Sequence, residues 1–128
     1  MSRKMISLLL LCVVMLLSAC NTKTFTYSGE TEEWAAELEV IQDSNDYETQ
    51  NLTLEYTGDD VSSVGEITYN VESVGGFGES GVTLGENGKI TGGSKANPTN
   101  AKVSEHTEVE ISVEWNGNTE TFELNKSR

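Results

Sequence analysis

Oxygen donors at close spacing are the first chemistry this chain offers. Asp43, Asn45 and Asp46 stand near one another in Asp43-Ser44-Asn45-Asp46-Tyr47-Glu48, and Asp59 and Asp60 follow Gly58. Carboxylates and amide carbonyls at such spacing are what Ca²⁺ binds. A Ca²⁺ site built from Asp43, Asn45, Asp46, Asp59 and Asp60 is one expectation, provided the two loops share one end of the fold. The pattern departs from a helix-flanked calcium loop, because Tyr47 stands where a further oxygen ligand is wanted and Glu48 where a glycine should follow. Solvated acidic loops are the plainer reading. His106, the single histidine, shares the polar parity of Glu108 and Glu110 and reads as an exposed residue at the start of a strand. Neither Ser104 nor Ser112 lies in a nucleophile-elbow pattern, so no catalytic residue is assigned. Phe77, in Gly75-Gly76-Phe77-Gly78, and Trp115, beside Asn116-Gly117, are the candidate partner contacts. For both, packing in the core is the plainer role.

The two cysteines have different surroundings. Cys12 lies in an apolar run, and Cys20 closes that run in the tetrad Leu17-Ser18-Ala19-Cys20. Arg3 and Lys4 precede an apolar stretch from Met5 to Leu17, and small residues end it, which is the layout of a secretory signal. The stretch is short of the ~20 residues a membrane-spanning helix needs. The closing tetrad resembles the lipobox of bacterial lipoproteins. That resemblance implies transfer of diacylglycerol to the Cys20 thiol, cleavage before Cys20, and two or three acyl chains, palmitate among them, holding the protein on the cell membrane. No thiol is then left for a disulfide, so hydrophobic burial must stabilise the domain.

The charge limits the partners. Removing residues 1–19 takes away Arg3 and Lys4 and no acid, which leaves six bases against 21 acids and a net charge of −15. A polyanion repels phosphate backbones, which excludes nucleic acid as a partner. It also repels anionic head groups, so attachment to the membrane is expected through the lipid and not through a basic patch.

These groups need a scaffold, and the texture of the mature chain is all-β. Val109, Ile111, Val113 and Trp115 alternate with polar residues. Asn116-Gly117 suits a type I′ turn. That turn sets Trp115 opposite Asn118, Val113 opposite Glu120, Ile111 opposite Phe122 and Val109 opposite Leu124, so the apolar positions coincide on both strands. The same register places Glu110 opposite Glu123, a like-charge pair. Leu52, Leu54 and Tyr56 mark another strand, and so do Ile67, Tyr69 and Val71. Val82-Thr83-Leu84 and Lys89-Ile90-Thr91 flank Glu86-Asn87-Gly88 as a short hairpin. Glu32–Ile41 fits both a helix stripe and a strand face, and its β surroundings favour strand. With a short strand at Phe25-Thr26-Tyr27 the count is seven or eight. The expected architecture is an all-β antiparallel two-sheet sandwich, immunoglobulin-like or fibronectin-like. Residues 1–19 form the signal, 20–30 a lipid-anchored tether with the first short strand, and 31–128 the sandwich.

Together with the tetrad at Cys20, the segments Tyr27-Ser28-Gly29-Glu30 with Glu33-Trp34, and Val113-Glu114-Trp115-Asn116-Gly117-Asn118-Thr119-Glu120, resemble small lipoproteins of Gram-positive, Bacillus-type bacteria. The resemblance implies an exported, lipid-anchored, extracytoplasmic β-domain and carries over no catalytic residue. The function expected is binding of an envelope protein or glycan, without enzymatic activity. The alternatives are a Ca²⁺-assisted or carboxylate-dependent hydrolase of envelope material, and a structural or stress-related surface lipoprotein.

Overall fold

The computed structural model describes residues 22–43, 47–96 and 103–127. The signal segment, Cys20, Asn45 and Asp46 lie outside them. Eight strands are present: β1 (Lys23–Glu30), β2 (Trp34–Gln42), β3 (Glu48–Tyr56), β4 (Glu66–Glu72), β5 (Phe77–Thr83), β6 (Lys89–Ala96), β7 (Val109–Trp115) and β8 (Asn118–Lys126), with one turn of 3-10 helix at Val61–Ser63. They form one antiparallel order, β5-β4-β7-β8-β1-β2-β3-β6, that curls into a nearly closed, barrel-like sheet. The strand count and the antiparallel pairing agree with the sequence. A division into two packed sheets is not confirmed, because the ladder continues through β1 and β8. That junction is narrow: Tyr27 pairs with Lys126 and Ser28 with Asn125.

Alternation of side chains along each strand explains the interior. Trp34, Ala36, Leu38 and Val40 of β2, Leu52 and Leu54 of β3, Ile67, Tyr69 and Val71 of β4, and Val109, Ile111, Val113 and Trp115 of β7 all point inward and are buried. The segment that fitted both periods is therefore a strand, its period-2 face being the one that meets the core. β1 extends from Lys23 to Glu30 and lies between β8 and β2. The short strand expected at Phe25-Thr26-Tyr27 is thus part of a longer, interior strand of the sheet.

The C-terminal hairpin has the expected register at every pair, including Glu110 opposite Glu123. Asn116 and Gly117 both have positive φ, 47° and 75°, as a type I′ turn requires. The other expected hairpin does not form. The segments around Val82 and Ile90 are strands, but β5 pairs with β4 and β6 with β3. Gly85 N–H donating to the Lys89 carbonyl, 3.0 Å, ties their connection, and beyond it the strands diverge as the two edges of the sheet. Tyr69 explains part of this separation. Its ring projects from β4 to Gly92 on β6, where a Cβ would fall on the phenol oxygen.

The two ends of the barrel differ. The 31–33, 57–65, 84–88 and 116–117 connections gather at one pole. There Thr31 closes the β1–β2 turn by accepting from Trp34 N–H at 3.1 Å, and Asn116 donates to the Ser63 carbonyl at 2.8 Å. Trp34 meets Tyr56 and Trp115 edge-on, at centroid distances of 5.2 and 5.3 Å. The start of β1, the β2–β3 and β4–β5 turns, the 103–108 segment and the end of β8 form the other pole.

Candidate functional site

The structure separates the acidic groups that a Ca²⁺ site would need together. Gln42 pairs with Glu48 at one end of the β2–β3 hairpin and Trp34 with Tyr56 at the other. Asp43 therefore lies next to the first end, and Asp59 and Asp60 lie beyond the second, about 27 Å away along nine residues of strand. Asp43 and Asp60 have local roles. Asp43 accepts from Tyr47 N–H at 3.1 Å. Asp60 caps the 3-10 turn by accepting from Ser62 N–H at 3.1 Å and from its hydroxyl at 2.6 Å. Strand length keeps Asp43 apart from Asp59 and Asp60, while Asn45 and Asp46 lie outside the described residues. Among the described residues no cluster of three or more His, Cys, Asp or Glu side chains could hold a metal.

Trp115 is turned inward, 7% exposed and packed on Trp34, so it presents no stacking face. Phe77 is half-buried against the core at the start of β5. His106 is open to solvent, its side chain 87% exposed and 3.4 Å from Glu105.

Two features that the sequence did not suggest are built by the fold. The first is on the outer face of β8, β1, β2, β3 and β6. Outward positions run in register across the sheet: Asn125 beside Ser28, Ser28 beside Glu37, Glu37 beside Thr53. In the adjacent row Glu30 faces Ala35, Ala35 faces Glu55 and Glu55 faces Lys89. The small side chain of Ala35 leaves an open depression of about 870 Å³, bordered by Glu30, Glu37, Glu55, Glu123 and Lys89. Gly29 is required there, because a Cβ would strike the Glu123 carbonyl of β8. Lys89 Nζ lies 3.7 Å from Glu55, an exposed pair worth little in stability. Chemically, this surface accepts hydrogen bonds and cationic groups through its carboxylates and offers one ammonium donor.

The second feature is inside, at the pole of the β2–β3 turn. Glu48 is 4% exposed and Gln50 3%. The Glu48 carboxylate accepts from Gln42 Nε2 at 2.9 Å, from Val103 N–H at 3.0 Å and from Gln50 Nε2 at 2.7 Å. Gln42 Nε2 also reaches the Val103 carbonyl at 2.5 Å, and Tyr27 donates to the Ser104 carbonyl at 2.7 Å. These bonds fasten the 103–104 backbone over the barrel end. Burial, then the charges of Glu105 and Glu48, raise the Tyr27 pKa above its ordinary value. Burial and then Glu79 raise that of Tyr69. Gln50 Oε1, Tyr69 Oη and Trp34 Nε1 are buried without a hydrogen-bond partner among the described residues. A glutamate two residues before a glutamine on an inward strand face is the signal that reveals this cluster. It was hidden because the apolar pattern of β3 is read most easily from Leu52 onward.

No protein-family model, curated protein or solved structure matches this chain.

Proposed function

We propose that this protein is a lipid-anchored, extracytoplasmic binding module, held on the cell membrane through Cys20 and acting by surface recognition and not by catalysis. The observation that carries the reading is the contrast between inside and outside. The interior is filled by large side chains from both halves of the sheet, whereas the outer face has an open depression around Ala35. A partner therefore meets the outside of the sheet. An immunoglobulin-like scaffold is part of this reading, and the narrow β1–β8 junction, with four strands on either side, supports it. Acid walls with one lysine favour ligands rich in hydroxyl, amide or ammonium donors, such as an envelope glycan or a basic segment of an envelope protein.

Two measurements test the reading. Cells supplied with labelled palmitate should label the protein, and Cys20→Ser should abolish the label and release the chain from membranes; an unlabelled but membrane-bound protein would refute the anchor. Titration of the protein with solubilised envelope glycan should show binding that Ala35→Trp, which fills the depression, removes without lowering the melting temperature. Release of soluble fragments from the glycan would favour hydrolysis instead.

A further inference from the structure

The charge that composition assigns to the whole chain is sorted between the two poles. The pole of the 31–33, 57–65, 84–88 and 116–117 connections exposes Glu32, Glu33, Asp59, Asp60, Glu66 and Glu86. Lys89 is the one basic residue there among the described residues. At the opposite pole β1 begins at Lys23, β6 ends just after Lys95 and β8 ends at Lys126, all three exposed. The acids of that pole include Asp43, Glu72, Glu105, Glu108 and Glu110, with Glu48 buried, and Lys126 Nζ lies 3.6 Å from Glu105. Both poles are negative, but the second carries three lysines against the first pole's one.

The pole with three lysines also carries Tyr47, 42% exposed, the exposed large hydrophobic side chain among the described residues. Lys95 Nζ stands 5.6 Å from its ring centroid, and Lys126 Nζ stands 5.7 Å from that of Phe25. An exposed aromatic body with a lysine beside it suits the interface between head groups and water.

The start of the fold decides which pole can meet a membrane. Cys20 precedes Lys23 by three residues, at most about 11 Å of extended chain. An acylated Cys20 thus keeps this pole at a distance on the order of a Debye length, ~8 Å at 0.15 M salt. The acidic pole, about 27 Å further along the strands, is screened from the surface while the barrel stands upright. Tilting brings it into the field of anionic head groups and is opposed.

We propose that the mature protein stands on an anionic bilayer on the pole of Lys23, Tyr47, Lys95 and Lys126, with its acidic pole turned outward. The inference rests on the reading of Cys20 as the anchor, and it turns the more acidic pole away from the surface.

The chain from Cys20 onward holds all eight strands and a single thiol. Coupling that thiol to a maleimide-bearing lipid, in vesicles of phosphatidylcholine alone or mixed with phosphatidylglycerol, allows the surface to be tested whether or not cells acylate it. Hydrogen exchange followed by mass spectrometry should show amides of 47–50 and 94–96 slowed several-fold on the anionic vesicles relative to the neutral ones. Amides of 57–65 should be unchanged. Lys23→Glu/Lys95→Glu/Lys126→Glu should erase the difference, and Lys89→Glu should preserve it. Equal exchange on the two lipids, slowing at 57–65, or a folded triple variant that keeps the difference would overturn the proposal. Absence of palmitate label in cells would overturn the anchor alone.

Discussion

Replacing Glu48 by alanine tests whether the buried cluster holds the barrel end together. The carboxylate serves three donors in a place with almost no solvent. In Glu48→Ala, Gln42 Nε2 keeps the Val103 carbonyl, but Val103 N–H and Gln50 Nε2 lose their acceptor. A buried donor left without a partner costs about 1–3 kcal/mol, so two cost about 2–6 kcal/mol. Partial entry of water through the shortened side chain favours the lower half, about 3 kcal/mol. That is a large share of the ~5–15 kcal/mol that stabilises a domain. For a domain of this size the melting temperature should fall by roughly 12–24 °C. Thermal and urea unfolding followed by circular dichroism measure it, with an unchanged urea slope showing that the same surface is exposed. Exchange at the Val103 amide should quicken more than at β7. A loss below about 1 kcal/mol would refute the reasoning, because the three bonds would then be replaceable by water.

Gly92→Ala should destabilise by about 1–3 kcal/mol through overpacking against Tyr69 Oη. Tyr69→Phe alone should be near neutral, since that hydroxyl is buried without a partner, and the two changes together should depart from additivity by more than about 0.5 kcal/mol in a double-mutant cycle. Folded-state pKa values of Tyr27 and Tyr69 raised above 10.0 mean that the native state holds these protons more tightly than the unfolded state. The stability they contribute is complete below pH 10 and is lost as pH rises through the raised values. Phenolate absorbance should therefore show two of the four tyrosines ionising late, together with loss of the fold; four early, equivalent titrations would contradict this. Glu123→Lys turns the Glu110–Glu123 pair into an attractive one, and a gain of about 0.2–1 kcal/mol that shrinks in high salt is the expected result.

The strands were legible in the sequence wherever local chemistry and burial agreed. Asn116-Gly117 prescribes its own turn, and the apolar positions on both sides permit one register, so the β7–β8 hairpin followed from a few residues. Trp34 to Val40 needed the β context, because the segment alternates and also fits a helix. The β5–β6 pairing was misread since turn residues say where the chain reverses but not whether the arms then meet. Tyr69, far away in sequence, helps keep them apart. The acidic loops show the same limit. Asp43 and Asp59 are only 16 positions apart, yet an intervening strand carries them to opposite poles. The outer depression and the Glu48 cluster depend on cross-strand neighbours on β8, β6 and the 103–104 segment, which no local pattern specifies.

The place of β1 has a consequence for the order in which the molecule can be assembled. Its neighbours are β2, which follows at once, and β8, which is last; Ser127 donates to the Thr26 carbonyl across 101 residues of chain. Contacts so distant in sequence slow folding, since the intervening loop must be closed before they form. A chain delivered N-terminus first can build the β1–β2–β3 meander early, but β1 keeps a bare edge until the final residues arrive. During that interval Phe25 and Tyr27 stand beside an unpaired strand edge, the kind of surface that recruits other chains. Loss of a few C-terminal residues would make that temporary exposure permanent, so the tail acts as the last stave that closes the cask.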